Sequence, residues 1–185
     1  MFFKPKFIET DPASPVRFTP ETVLELPECE SAGFLKTLYD GFVKDSAGTG
    51  INCTKLTFTH GIPAGLAEKC AADGSDEEYI LVIGEHSRIC ANSDRGFIYG
   101  MVTLASMKGT TCAGILCDRP VCSIRGYRVY LPGRQNIPVF KSMVDFLAEY
   151  KYNTVILEIG GAMEYKRHPE INEKWVEFCR EMYAD

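Results

Sequence analysis

The residues of this chain that could do chemistry are mostly scattered, and the first candidates fail on spacing. The stretch Asp94 to Gly100 (DRGFIYG) has the glycines and charges of a phosphate-binding loop, but it lacks both the GxGxxG spacing and a preceding parallel strand. We therefore expect Ser93 or Asp94 to cap a helix. The eight cysteines are spread singly through apolar patterns without a CxxC pair, and the three histidines are scattered. No metal site and no cofactor is predicted, and the cysteines are interpreted as reduced core residues.

A denser polar cluster follows an apolar run near the end of the sequence. The run spans residues 154–159, and the cluster consists of four residues: Glu164, Tyr165, Arg167 and His168. Enzymes built on parallel β/α barrels place functional residues after the carboxyl ends of their strands. One loop does not make a site, however, and these residue types are also typical of solvated loops. The solvated loop is the preferred interpretation.

The elements that would position such residues form a repeated pattern of strands and helices. A β-branched and aromatic run, Ile124 to Tyr130, leads through a Pro/Gly loop into an amphipathic helical pattern, and the apolar run Thr154 to Ile159 follows. A further helical segment spans Asn172 to Tyr183. Strand, crossover helix and strand form the unit of a parallel sheet, and a closed barrel of such units needs eight strands. We expect residues 121–185 to be the first βαβα part of a truncated (β/α)8 barrel.

The first 120 residues show a different pattern. Residues up to about Pro20 are Pro-rich and are predicted to form an extended lead-in, while Ile62 to Ala72 is ambiguous. Apolar residues recur at helical spacing after Ser31 and again after Ser93. Short alternating runs indicate strands at 22–26, 53–58, 78–83, 88–91 and 111–117. We predict an α+β domain over 1–120, with a mainly antiparallel sheet of about four or five strands and both helices on one face.

Composition and charge restrict the partners and the compartment. The chain is 45% hydrophobic with a net charge of -5 and has no Lys/Arg stripe, which argues for a globular protein and against a nucleic-acid partner. Its start, MFFKPKFIETD, lacks the apolar core of a signal peptide because Lys4, Pro5 and Lys6 interrupt it. No run approaches the roughly 18 to 20 apolar residues that span a membrane. We expect a cytoplasmic protein that binds no membrane.

Two motifs resemble glycoside hydrolase family 20, the β-N-acetylhexosaminidases. The motif EEYILVIGEHSRICANSDRGFIYGMVTLASM resembles the end of that family's small N-terminal domain, where a strand hairpin leads into a helix opening with a Gly-aromatic-x-Gly element. The motif DRPVCSIRGYRVY, followed by VFKSMVDFLAEYKYNTVILEI, resembles the start of its catalytic barrel. The shared features are a D-x-P joint, an Arg-Gly at the first strand and a K-x-N lead into the second. Together the motifs cover roughly the second half of the chain.

This resemblance implies a parent enzyme of two domains. In the family, an α+β domain precedes a (β/α)8 barrel that removes terminal N-acetylhexosamine with retention, the substrate's own acetamide oxygen serving as nucleophile. An Asp orients the acetamide and an adjacent Glu is the general acid, and both belong to the fourth barrel strand. This chain carries two such strands. The resemblance therefore implies the N-terminal part of a carbohydrate-processing hydrolase that is inactive by itself, with no catalytic residue of its own.

Arg125 is the one site residue that the resemblance assigns. It matches the Arg of the family's Arg-Gly element, which contacts sugar hydroxyls at the bottom of the pocket. A guanidinium suits this role because its fixed fork of donors can hold two vicinal oxygens at once. The alternative is an arginine at a domain joint that pairs with Asp118 or Glu158.

The chain departs from the family pattern at several positions around this site. Tyr130 stands where the family usually has an Asp, and Gly160-Gly161 stands where it has paired Asp residues. Arg134 matches the Arg at the end of the first strand only with one extra residue in between. These departures predict a different pocket rim, a substrate that need not be plain N-acetylglucosamine, and a divergent subfamily.

Other functions and an assembly stay open at this point. The chain could be a stand-alone, non-catalytic accessory or interaction module related to carbohydrates, or the N-terminal domain of another sugar-cleaving barrel such as an α-glucuronidase. The open edges of the strands from Ile124 and Thr154 predict a homodimer through the barrel fragment, by edge pairing or swapping. The alternative is that this segment collapses onto the N-terminal domain.

Overall fold

The computed structural model describes residues 4–44, 49–107, 111–158 and 166–182. It divides into two compact units, which we call the N-terminal unit, up to Val121, and the C-terminal unit, from Cys122. The N-terminal unit contains seven strands and three helices: β1 Phe7–Arg17, β2 Val23–Glu25, α1 Ala32–Lys44, β3 Ile51–Asn52, β4 Lys55–His60, α2 Ala64–Cys70, β5 Tyr79–Ile83, β6 His86–Ala91, α3 Asp94–Ser106 and β7 Cys112–Asp118.

The seven strands form one mixed sheet in the order β2-β4-β6-β5-β7-β1-β3. The central pairs β6–β5, β5–β7 and β7–β1 are antiparallel. The outer pairs β2–β4, β4–β6 and β1–β3 are parallel. The prediction of about four or five strands is therefore wrong in number, and the sheet is mixed, with three antiparallel and three parallel pairs, rather than mainly antiparallel. Only the β5–β6 hairpin has a local turn that dictates its pairing, whereas the parallel pairs join strands that helices separate in the sequence.

Strand β1 is the largest element that the sequence pattern did not predict, because Pro12 and Pro15 interrupt it. Phe7 to Asp11 pair with β7, and the register shifts between Asp11 and Pro15. At this irregularity the Asp11 carboxylate accepts bonds from Ala13 N (3.0 Å) and Ser14 Oγ (2.6 Å). Prolines within a sheet are confined to edge strands and irregularities, and Pro12 and Pro15 lie at such an irregularity. In the sequence, the two prolines therefore make this strand look like a loop.

The two long helices of the N-terminal unit share one face of the sheet. Leu35, Tyr39 and Phe42 of α1 join Phe97 and Met101 of α3 in the main core, together with the inward residues of β4 to β7. The helix α2 lies over the opposite face, where Cys70 packs with Ile80, Cys90 and Cys117. The alternation of side chains along β5 therefore separates two cores, the larger of which lies under α1 and α3.

A close approach of α3 to the sheet depends on two glycines. A Cβ at Gly96 would lie 2.6 Å from the Glu78 carbonyl oxygen, and one at Gly100 would lie 2.6 Å from Ile89 Cγ2. The helix begins as predicted, since the Ser93 hydroxyl accepts a bond from Gly96 N (3.4 Å). DRGFIYG is thus a capped helix start that packs tightly on the hairpin.

The C-terminal unit contains β8 Gly126–Tyr130, the 3-10 turn η1 Arg134–Asn136, α4 Ile137–Glu149, β9 Thr154–Glu158 and α5 Glu170–Met182. β8 and β9 form a parallel two-stranded sheet in which Gly126 is opposite Thr154 and Tyr130 is opposite Glu158. The polypeptide between the two strands passes through α4, as in a βαβ unit. Within the described part of the chain, no helix is both long enough and apolar enough to cross a membrane.

Candidate functional site

Arg125 lies directly before β8, at the amino-terminal end of the parallel strand pair. Its guanidinium donates from Nε to the Lys151 carbonyl (2.7 Å) and from Nη1 to the Cys122 carbonyl (2.8 Å). Its backbone N–H donates to Asn153 Oδ1 (2.9 Å), and its carbonyl accepts from Asn153 N (3.1 Å). Arg125 therefore fixes the start of β8 to the segment that leads into β9.

Asn153 completes this cross-link between the two strand starts. Its side-chain amide donates to the Ser123 carbonyl (2.7 Å), while its Oδ1 accepts from Arg125. Lys151 has a positive φ of 59°, so the chain turns sharply after α4 and presents its carbonyl to the arginine. The K-x-N motif, residues 151–153, thus has a structural role in this chain, since its bonds align β9 with β8.

The other end of the strand pair carries a second polar group. Arg128 lies on the same side of the sheet as Tyr130 and Glu158, because Gly126 is opposite Thr154 and side chains alternate. The Arg128 guanidinium forms an ion pair with the Glu158 carboxylate through Nη2 and Oε2. The alternative that pairs Arg125 with Glu158 is therefore wrong, since Glu158 ends β9 at the far end of the strand pair. Sequence reasoning missed Arg128, although its i, i+2 spacing to Tyr130 was visible.

The remaining candidate residues of the C-terminal unit are dispersed. Arg134 pairs with Glu177 (3.6 Å) and Glu181 (3.4 Å) of α5. Arg167 is exposed, and His168 Nδ1 lies 3.2 Å from Glu170 Oε1. Glu164, Tyr165 and the pair Gly160-Gly161 lie outside the described residues. The described part of the predicted cluster therefore does not converge on one point.

A buried ionic network lies in the N-terminal unit beside the D-x-P joint. The Glu78 side chain is 0% exposed, and its carboxylate accepts from Gly74 N (2.9 Å), Asp73 N (3.1 Å) and Arg119 Nη1 (3.1 Å). Arg119 also donates from Nη1 to the Ala71 carbonyl (2.9 Å), and its Nε lies 2.8 Å from Asp73 Oδ2. The pKa of the Asp73 carboxyl is lowered, mainly by the backbone hydrogen bond from Ser75 and less by Arg119. Arg119 thus pairs with two carboxylates, of which that of Glu78 is fully buried and that of Asp73 is half exposed.

Four of the cysteines in the described residues are buried like core side chains, whereas Cys122 is exposed. Seven cysteines are free, and Cys70, Cys90 and Cys117 lie together under α2. Burial raises the pKa of all three thiols, that of Cys117 to about 12. A thiol reacts and binds metals as the thiolate, so these positions are unreactive near neutral pH. Among the residues that the structure describes, no three His, Cys, Asp or Glu side chains are grouped to hold a metal ion.

Comparison with known proteins finds similarity in solved structures. No protein-family model matches the sequence, and no curated protein matches it. The structure is similar to the β-N-acetylhexosaminidase of Bacteroides fragilis NCTC 9343 (TM-score 0.65, 18% identity), covering 94% of this chain and 36% of that one. It is also similar to a GH20 exo β-N-acetylglucosaminidase of Vibrio harveyi in complex with N-acetylglucosamine (0.64, 20% identity, 92% and 27%). A third is the GH20 β-N-acetylhexosaminidase of Streptomyces coelicolor A3(2) (0.59, 21% identity, 85% and 34%).

These similarities confirm the predicted resemblance to family 20 enzymes at the level of the fold. The chain spans about a third of the length of the structures it matches, and the identities are 18 to 21%. The matched part covers most of this chain, so it includes residues of both units.

Proposed function

We propose that this chain is the N-terminal part of a glycoside hydrolase that resembles the β-N-acetylhexosaminidases. In this proposal residues 1–120 are the small α+β domain and residues 121–185 begin the catalytic barrel. The observation that carries the proposal is the fold similarity to family 20 structures over 94% of the chain. A match of this extent supports the proposal because it includes residues of both units.

Two features of the C-terminal unit support its assignment as the start of a barrel. β8 and β9 are parallel and joined through a helix, and a second helix follows β9. Large side chains of the strand pair are also exposed: Tyr130 is 70% exposed and Ile156 is 53% exposed. The remaining strands of a barrel would cover such side chains. In a (β/α)8 barrel, six further strands close the sheet and the inward side chains fill its interior.

The reaction of the parent enzyme follows from this assignment. It would remove a terminal N-acetylhexosamine with retention of configuration, through attack of the substrate's acetamide oxygen on the anomeric carbon. A Glu would protonate the leaving oxygen while the adjacent Asp orients the acetamide, and both belong to a fourth barrel strand. Since this chain holds the first two strands, we propose that it is inactive without the rest of the barrel.

Arg125 is proposed to contact hydroxyls of the terminal sugar from the floor of the pocket. It stands at the amino-terminal end of β8, which is the bottom of a barrel whose active site opens at the other end. Its bonds to the Lys151 and Cys122 carbonyls hold the guanidinium at that end, so contact with a sugar would require the side chain to leave one of these carbonyls and extend along the barrel interior. The same bonds give Arg125 a role in the alignment of the two strands, so both roles need to be separated by experiment.

The test uses a chromogenic β-N-acetylglucosaminide and two proteins, this chain and the polypeptide encoded by its whole open reading frame. We expect turnover by the longer polypeptide and none by this chain above a control without enzyme, in preparations free of host hexosaminidase. Within the longer polypeptide, Arg125→Lys keeps a positive charge but loses the fork, and we expect a raised KM. Thermal melting of the same variant measures how much of the loss comes from the bonds to the Lys151 and Cys122 carbonyls. Turnover by this chain alone, or none by a folded longer polypeptide, would contradict the proposed function.

A further inference from the structure

Three polar side chains meet at the carboxyl end of the strand pair, and we call them the Arg128 cluster: Arg128, Tyr130 and Glu158. Tyr130 and Glu158 are the last residues of β8 and β9 and lie directly opposite each other. Arg128 lies two residues earlier, and its guanidinium reaches Glu158. All three side chains are therefore on one side of the sheet and at the end where barrel enzymes bind substrate.

The charges within the cluster cancel. The Arg128 side chain is 66% exposed and that of Glu158 is 34% exposed, so both charged groups face solvent while they contact each other. Tyr130, which is directly opposite Glu158 in the strand register, is 70% exposed and offers an apolar ring face and a hydroxyl. The cluster thus presents hydrogen-bond donors and acceptors to solvent without a net charge.

This arrangement matches the chemistry of a neutral polyol. A guanidinium without a carboxylate partner is a strong site for anions, because it binds carboxylates through two parallel charge-assisted bonds. With Glu158 in place, an incoming carboxylate would meet repulsion from the existing carboxylate and would have to displace it. A neutral sugar hydroxyl can instead donate to Glu158 and accept from Arg128 without separating the pair.

We propose that Glu158 is a specificity-determining residue, which neutralises Arg128 so that the pocket accepts a neutral terminal sugar and rejects a uronic acid. This inference rests on the proposed function, because it needs β8 and β9 to face the sugar pocket of a barrel. It also distinguishes a hexosaminidase-like parent from the alternative of an α-glucuronidase, whose substrate carries a carboxylate.

The experiment uses the polypeptide encoded by the whole reading frame, a chromogenic N-acetylhexosaminide as substrate, and N-acetylglucosamine and glucuronate as competing ligands. Glu158→Gln keeps the side-chain size and removes the charge, so we expect KM for the neutral substrate to rise about tenfold with kcat little changed. We also expect the inhibition constant of glucuronate to fall about tenfold, as Arg128 becomes available to a carboxylate. Adding Arg128→Ala should abolish that gain, which a merely structural role of the pair would not predict.

The control is Glu9→Gln, which makes the same charge change in an exposed ion pair with Lys69 (2.8 Å) in the N-terminal unit. It should leave KM and both inhibition constants unchanged. If the active parent enzyme shows the same KM and the same glucuronate inhibition with Glu158→Gln, the inference is overturned while the proposed function stands. If the folded parent enzyme hydrolyses no neutral hexosaminide, the proposed function fails and this inference fails with it. Thermal melting of each variant shows whether a change in KM comes from unfolding. The single variant Arg128→Ala should raise KM without increasing inhibition by glucuronate, which separates a change in specificity from a loss of structure.

Discussion

Removal of Arg119 should destabilise the N-terminal unit far more than removal of any exposed ion pair. Its partner Glu78 is 0% exposed, so Arg119→Ala leaves a fully buried carboxylate without its counter-ion. Loss of one partner from a buried ion pair typically costs about 3 to 5 kcal/mol. The backbone N–H groups of Asp73 and Gly74 still donate to Glu78 after the substitution, which favours the lower end, about 3 kcal/mol. The ratio of folded to unfolded protein should therefore fall about a hundredfold.

Hydrogen exchange measures this loss in the N-terminal unit alone. The amides of Tyr79–Ile83 lie in the centre of the sheet and should exchange only through unfolding of the unit. We expect their exchange to become about a hundredfold faster in Arg119→Ala, because 3 kcal/mol is about two decades. Lys36→Ala removes the exposed i, i+4 pair with Asp40 (2.6 Å) and is the matched control, with an expected loss of about 0.5 kcal/mol or less.

A double variant separates the missing charge partner from lost packing. Adding Glu78→Gln to Arg119→Ala removes the buried charge, and part of the lost stability should return. A loss below about 1 kcal/mol in Arg119→Ala, or no recovery in the double variant, would refute the argument that Arg119 serves as counter-ion.

Three further predictions address packing, pH and assembly. Gly96→Ala should destabilise the N-terminal unit by about 1 to 3 kcal/mol in urea unfolding because its Cβ would lie 2.6 Å from a carbonyl oxygen, whereas Gly41→Ala, with nothing within 4 Å, should be neutral or stabilising. Burial raises the pKa of Cys117 from 9.0 to about 12 and that of Tyr79 well above 10.0, so the unfolded chain loses these protons at a lower pH than the folded chain. The free energy of unfolding should therefore be unchanged below pH 9 and fall towards pH 12. The fall should be shallower in Cys117→Ala, and an equally steep fall in that variant would mean that the thiol is not buried. The open edges of β8 and β9 should make this chain dimerise in light scattering, and a monomer with strongly protected β9 amides would exclude that.

Part of the fold could be predicted because its signals are local. The β5–β6 hairpin consists of two β-branched runs around Gly84, and β8 and β9 are apolar runs on either side of an amphipathic helix. β1 was missed because its prolines mask the alternation, and β3 because two residues are too short to show one. The parallel pairing of β2, β4 and β6 depends on contacts between distant segments, which no local pattern encodes.

Arg125 is the one site residue that the sequence predicts, and its role in sugar binding stays a prediction. Its position follows from the Arg-Gly motif, but its bonds to the Lys151 and Cys122 carbonyls depend on how the two strand starts are aligned. The Arg128 cluster depends on the same register, because a shift of one residue would place Glu158 on the other side of the sheet. Sequence motifs thus supplied the residue types, and the strand register determined which of them meet.

A crystal structure of the polypeptide encoded by the whole reading frame, with N-acetylglucosamine bound, would show whether β8 and β9 belong to a barrel. We expect them to be the first two strands of an eight-stranded parallel barrel. We also expect the sugar at their carboxyl ends, near an adjacent Asp-Glu pair from the fourth strand. A β8–β9 pair that stays outside any barrel, or a sugar bound away from these strands, would contradict the account.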